Sequence, residues 1–178
     1  MFDPAAFDNM KVVIEGALYD KDLDGEIAIT DRNDIFNIAK MSRMFNIYFS
    51  FPEIAEGILS AKIELEARFD NLAAELLSGS VSEKLAGCYV TLQFFIEHED
   101  EINQYQAVQK IFSGVWGELR KITQTIEYNP LAKPQKVKNV VTIDFERLIR
   151  EEQMDDLVEM TEFMLTTLID LKTYFSNG

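Results

Sequence analysis

The stretch that most restricts this chain is residues 154–175. Apolar side chains recur there at Met154, Leu157, Val158, Met164, Leu165, Leu168, Leu171 and Phe175. That three-and-four spacing predicts a long C-terminal amphipathic helix with one buried face. Met160, Phe163 and Ile169 widen the stripe, while Asp155, Asp156, Glu159, Glu162, Asp170 and Lys172 fall largely on the remaining side. Acidic residues gathered at the N-terminal end suit the helix dipole. A stripe this wide needs a broad apolar surface to cover, and a sheet supplies one.

The strands for such a sheet are legible. Phe45, Ile47, Phe49 and Phe51 alternate with Asn46, Tyr48 and Ser50, and beyond a turn at 52–57 Leu59, Ala61, Ile63, Leu65, Ala67 and Phe69 alternate with Lys62, Glu64, Glu66 and Arg68. Period two held this long predicts a hairpin with one wet face. Cys88, Val90, Leu92, Phe94 and Ile96 predict another strand, and Tyr89 and Phe95 on its other side place it centrally, covered on both faces. Residues 119–128 and 140–147 read as two more strands. Between them, residues 129–139 read as a long loop carrying Lys133, Lys136 and Lys138.

Helices are expected over 4–9, 34–41, 70–77 and, behind Asp100 as cap, along Ile102, Tyr105, Val108, Ile111, Phe112 and Val115. Residues 11–19 and 26–30 read as strands around an Asp-rich turn ending in Gly25, the signature of a hairpin. Together these predict one α+β domain over 1–178, an antiparallel sheet with helices packed against it. The order strand-helix-strand-strand-helix-strand over 26–97 would also suit a ferredoxin-like unit.

A length of 178 residues fits one well-buried domain. With 17 Lys and Arg against 31 Asp and Glu the formal charge is −14, which repels phosphate backbones and anionic lipid. Neither nucleic acid nor membrane is an expected partner. Cys88 is the sole cysteine, so no intrachain disulfide forms, and the N-terminus lacks a basic patch followed by an apolar run. These point to a cytoplasmic protein.

One stretch carries a chemical motif. Residues 20–31, Asp-Lys-Asp-Leu-Asp-Gly-Glu-Ile-Ala-Ile-Thr-Asp, resemble the calcium loop of EF-hand proteins. The resemblance implies Asp20, Asp22 and Asp24 as carboxylate ligands, Gly25 as the turn glycine, Glu26 offering its carbonyl and Asp31 closing the loop. Asp31 stands where the family usually has Glu, Ala28 has no side-chain oxygen, and the chain has no second loop of this kind. The competing expectation is an acidic hairpin turn.

Elsewhere no catalytic motif stands out. His98 lies among Glu97, Glu99 and Asp100, but neighbouring residues point different ways. Cys88 is too far along the same strand to share a proton with it. Trp116, between Gly114 and Gly117, and the three lysines of 129–139 read as contact surface. The expectation is a non-enzymatic binding or regulatory module, with no cofactor and with a protein partner or a second copy of itself. The alternatives are a calcium-binding protein and an enzyme with a carboxylate-lined pocket.

Overall fold

A computed structural model describes residues 5–76, 84–132 and 135–177. Six antiparallel strands form one open sheet: β1 (Ala28–Asn37), β2 (Ser42–Ser50), β3 (Leu59–Ala67), β4 (Cys88–Glu99), β5 (Lys121–Glu127) and β6 (Lys136–Ile149), in the order β1-β2-β3-β4-β6-β5. Among the described residues four α-helices accompany it: α1 (Ala5–Leu23), α2 (Phe69–Leu76), α3 (Ile102–Trp116) and α4 (Met154–Ser176). The α+β class, the antiparallel sheet and the long C-terminal helix are as the sequence predicts. Among the described residues, no helix is long and apolar enough to cross a membrane.

The alternation in β3 is complete: Leu59, Ala61, Ile63, Leu65 and Ala67 are buried and the residues between them half-exposed. The inward residues of β2 and β4 continue this floor, with Phe45, Ile47, Phe49, Leu92 and Phe94 at 1% exposure or less. α4 crosses the floor at β3 and touches α1 on one side and α3 on the other. It buries Leu157, Met160, Met164, Leu165, Leu168 and Leu171, whereas Val158, Phe163 and Ile169 remain exposed, so the stripe is narrower than composition suggests. β4 is an interior strand as expected, but its Tyr89 and Phe95 side carries none of the described helices and stays half-exposed.

Several local expectations are overturned. Residues 11–19 are helical, not a strand. Val12 to Ile14 favour extended backbone, and Gly16 costs about 1 kcal/mol in a helix. Against this, Phe7, Met10, Ile14 and Leu18 are wholly buried along one side of α1. At ~1.5–3 kcal/mol for each such burial, packing wins. The Asp-Gly signal is therefore a helix end rather than a hairpin turn. Gly25 has φ +76, its amide donates to the Asp22 carbonyl at 3.1 Å, and the Glu26 amide donates to the Lys21 carbonyl at 3.0 Å. This is the double bond of a left-handed helix cap, which glycine adopts without a Cβ penalty.

Residues 34–41 are not a helix either. β1 runs through Asn37 and pairs with β2 from Ala28 opposite Ser50 to Asn37 opposite Ser42. The apolar spacing of Ile35, Phe36 and Ile38 imitates a helix face, yet all three are exposed. With no helix between β1 and β2, and β1 to β4 laid side by side, the ferredoxin-like order is excluded. The basic loop shrinks as well: Lys136 and Lys138 belong to β6. Lys133, Pro4 and Leu77, the last residue of the helix expected over 70–77, lie outside the described residues.

Leu168, at 0% exposure in the middle of α4, tests the layer. Leu168→Ala is expected to cost about 2–5 kcal/mol in denaturant unfolding, and Leu168→Asp to prevent cooperative folding.

Candidate functional site

With the described helices on one face, the other face of the sheet carries none of them. Its outward residues follow from the register. One row runs Asp31, Tyr48, Lys62, Gln93 and Thr142; another runs Asn33, Asn46, Glu64, Thr91 and Asp144. The polar groups are mostly paired across strands. Asn33 donates to Asn46 at 3.0 Å, Asn46 to Glu64 at 3.3 Å and Gln93 to Thr142 at 3.2 Å, while along β3 Lys62 donates to Glu64 at 3.0 Å. Cross-strand pairs of this kind fix the face as a surface rather than leave it a mobile fringe.

Aromatic rings lie among them. Tyr48 and Phe95 stack with centroids 6.0 Å apart. Lys62 Nζ lies 5.7 Å from the Tyr48 ring centre and Lys138 Nζ 5.4 Å from that of Phe95, within cation–π reach. Beside the rings, the β2–β3 connection folds over the face and closes a cleft of about 700 Å³. Phe51, Pro52, Ile54 and Leu59 give it apolar walls, Ser50 and Ser60 line it, and its charged residues are Asp31, Glu56 and Lys138. A second, smaller cleft of about 210 Å³ opens between α3, β6 and α4, with Trp116, Phe145 and Phe163 against Arg120 and Arg147.

Of the residues singled out from sequence, Asp31 and Lys138 line the larger cleft and the others fall elsewhere. Asp20 and Asp22 lie within α1, two positions apart, a spacing that turns side chains to opposite sides of a helix. Asp22 Oδ1 accepts the Ile29 amide at 3.2 Å. Asp24 is in the turn, Glu26 faces Lys21 at 3.7 Å, and Asp31 is on β1, its Oδ1 accepting the Arg32 amide at 2.8 Å. The loop leaves one helix and enters a strand. Among the described residues, no group of three His, Cys, Asp or Glu side chains is placed to hold a metal ion.

His98 is 2% exposed, stacked on Phe175 at 5.5 Å and edge-on to Tyr105 at 5.0 Å. Its Nδ1 is 2.7 Å from the Glu99 carbonyl and its Nε2 is 3.0 Å from Asn139 Nδ2. The network assigns the neutral tautomer with the proton on Nδ1. Asn139 also donates to Gln124 at 2.9 Å, and Gln124 donates to the Tyr105 carbonyl at 3.0 Å. The imidazole thus ties β4, β6, β5 and α3 together inside the core. Cys88 is buried beside Met10, and burial pushes its thiol far above the ordinary range. Trp116 closes the core: its Nε1 donates to Thr167 at 2.9 Å.

Sequence reasoning missed Glu75 on α2. Both its carboxylate oxygens are buried without a hydrogen-bond partner among the described residues. Burial raises its pKa to about 7; the Phe7 amide opposes this from nearby, short of hydrogen-bond geometry, while Asp8 and Glu151 add to it. No spacing rule marks such a residue, because its burial depends on where α1 lies. It also missed the Tyr48–Phe95 pair, although their outward placement on alternating strands was the available signal.

No family model, curated protein or solved structure matches this chain.

Two outcomes follow from these positions. Excess calcium is expected to leave the melting temperature unchanged; a rise of several degrees that Asp20→Ala and Asp24→Ala each abolish would establish an ion site there. For Glu75, the folded carboxyl binds its proton more tightly than the ordinary carboxyl at 4.5. Stability from this group is therefore full below that value and falls as pH rises toward about 7. Glu75→Gln should raise the melting temperature more at pH 8 than at pH 5, as thermal melts at the two pH values would show.

Proposed function

We propose that this chain is a non-enzymatic binding module whose open sheet face takes an apolar segment of a protein partner flanked by basic residues. The observation that carries this reading is the cleft beside Tyr48 and Phe95. It has apolar walls, it lies on a face that none of the described helices covers, and Asp31 and Glu56 line it together with Lys138. A net charge of −14 steers cationic segments toward the molecule and repels acidic ones. Clefts that bind peptides combine such apolar walls with a few placed polar groups.

The groups with the largest displacements of proton affinity also support binding over chemistry, because they lie away from the cleft. Asp34 is held down to about 2 by Arg43, Tyr105 is pushed up to about 12 by burial and by its bond to Asp100, and Glu75 and Cys88 lie beside α1. A buried lone thiol suits a reducing compartment, so we place the module in the cytoplasm.

The test uses an array of short synthetic peptides that differ in net charge and aromatic content, probed with labelled protein. Basic peptides with apolar centres should retain it, with a signal that weakens as salt rises. The double variant Tyr48→Ala/Phe95→Ala should lose retention while melting cooperatively. Retention indifferent to peptide charge, or unchanged in that variant, would refute the reading.

A further inference from the structure

We propose that the free edge of β5 is the interface through which two copies of this chain form a two-fold dimer with one continuous sheet. β5 ends the sheet, and its residues 121–127 read Lys-Ile-Thr-Gln-Thr-Ile-Glu. The segment mirrors itself about Gln124, except that a cation at one end answers an anion at the other. Antiparallel pairing with a second copy about Gln124 sets Ile122 against Ile126, Thr123 against Thr125, and Lys121 against Glu127 at both ends. A two-fold interface must be complementary to itself in this way. Sliding the register by two residues puts Lys121 opposite Thr125 or Asn129 and leaves every end charge without its counterpart.

The surroundings agree with the pairing. Lys121, Thr123, Thr125 and Glu127 are exposed, and Ile122 and Ile126 are half-exposed, so a second strand would cover them. Leu119 and Leu131, the most exposed large apolar residues described, flank β5 on its two sides at 101% and 94%, with Tyr128 at 64%. In the mirrored register Arg120 falls opposite Tyr128 of the second copy and Leu119 opposite its Asn129. Charge alternation also extends across the join. Glu97, Lys138 and Glu127 already form a row through β4, β6 and β5, with Lys138 3.6 Å from Glu127. The second copy continues it with Lys121, which stands opposite Asp144 of β6 and donates to Glu146 at 2.9 Å. The proposal is independent of the cleft on the open face.

Sedimentation analysis of the whole chain at tens of micromolar should give a dimer mass. Lys121→Glu and Glu127→Lys, taken singly, set like charges opposite at both ends and should weaken association roughly tenfold or more. The double variant Lys121→Glu/Glu127→Lys restores opposite signs and should restore the dimer. A monomeric parent, single variants that associate like the parent, or a double variant that melts normally yet stays monomeric would each overturn the proposal. Amide exchange on the unaltered protein decides should a variant fail to fold. Exchange across 121–127 should slow as concentration rises, and exchange indifferent to concentration refutes the edge.

Discussion

Everything else in this molecule depends on α4 covering the apolar floor of the sheet. Leu157, Met164, Leu168 and Leu171 have no exposure, and α1 and α3 each pack against α4 while holding opposite flanks of the sheet. At ~1.5–3 kcal/mol each, those four side chains gain roughly 6–12 kcal/mol gross. That is the size of a whole domain's net stability, so the sheet is not stable with α4 detached. The buried Thr167 hydroxyl of α4 is paired: Thr167 Oγ1 accepts from Trp116 and donates to the Phe163 carbonyl at 2.7 Å. The core therefore pays little for its few hydroxyls.

Charge plays a different part, fixing the angle of α1. Arg43 donates to Asp34 at 2.9 Å and to Asp8 at 2.8 Å, and Lys11 reaches Asp34 at 2.6 Å. The Arg43 guanidinium and the Lys11 ammonium lie over the Phe7 and Phe45 rings, so the same groups that make the ion pairs lid the core below. Partly exposed pairs contribute at most about 1 kcal/mol each. Their role is direction: apolar burial holds α1 down, and the charges select the orientation in which β1 runs beneath it.

The sheet and α4 were legible because their periods are long and unopposed. Leu59 to Phe69 keeps period two over its whole length, and α4 repeats its stripe for six turns with no breaker. α1 was illegible for a physical reason. Its Val12-Val13-Ile14 run and Gly16 express local backbone preference, while its helix rests on contacts with α4, more than a hundred residues away. Asp24-Gly25 failed likewise, since a glycine with positive φ ends a helix as readily as it turns a hairpin. Of the candidate site, only the outward alternation of Tyr48 and Phe95 was written in the sequence. The wall that makes a cleft of them comes from the path of the β2–β3 connection, which no periodicity encodes. Glu75 and the Asn139–His98 pair are tertiary accidents of the same sort, polar groups enclosed by elements that meet only on folding.

The two sheet edges are treated unequally, and that inequality bears on how the molecule can associate. β1 carries a register shift between Ile29 and Asp31, and its Arg32 and Asp34 are engaged by Glu15 and Lys11 of α1. A bulge twists an edge and breaks the row of free amides and carbonyls a partner strand would need. β5 pairs with β6 without a shift from Lys121 to Glu127, and its outer side keeps a regular row. If both edges were regular, strand addition could continue copy after copy into a fibre. With one edge blunted, the proposed pairing of β5 with β5 would consume both open edges at once and leave only the bulged strands outside. Self-recognition of that kind would close at two, which is how an exposed edge can serve a protein without endangering it.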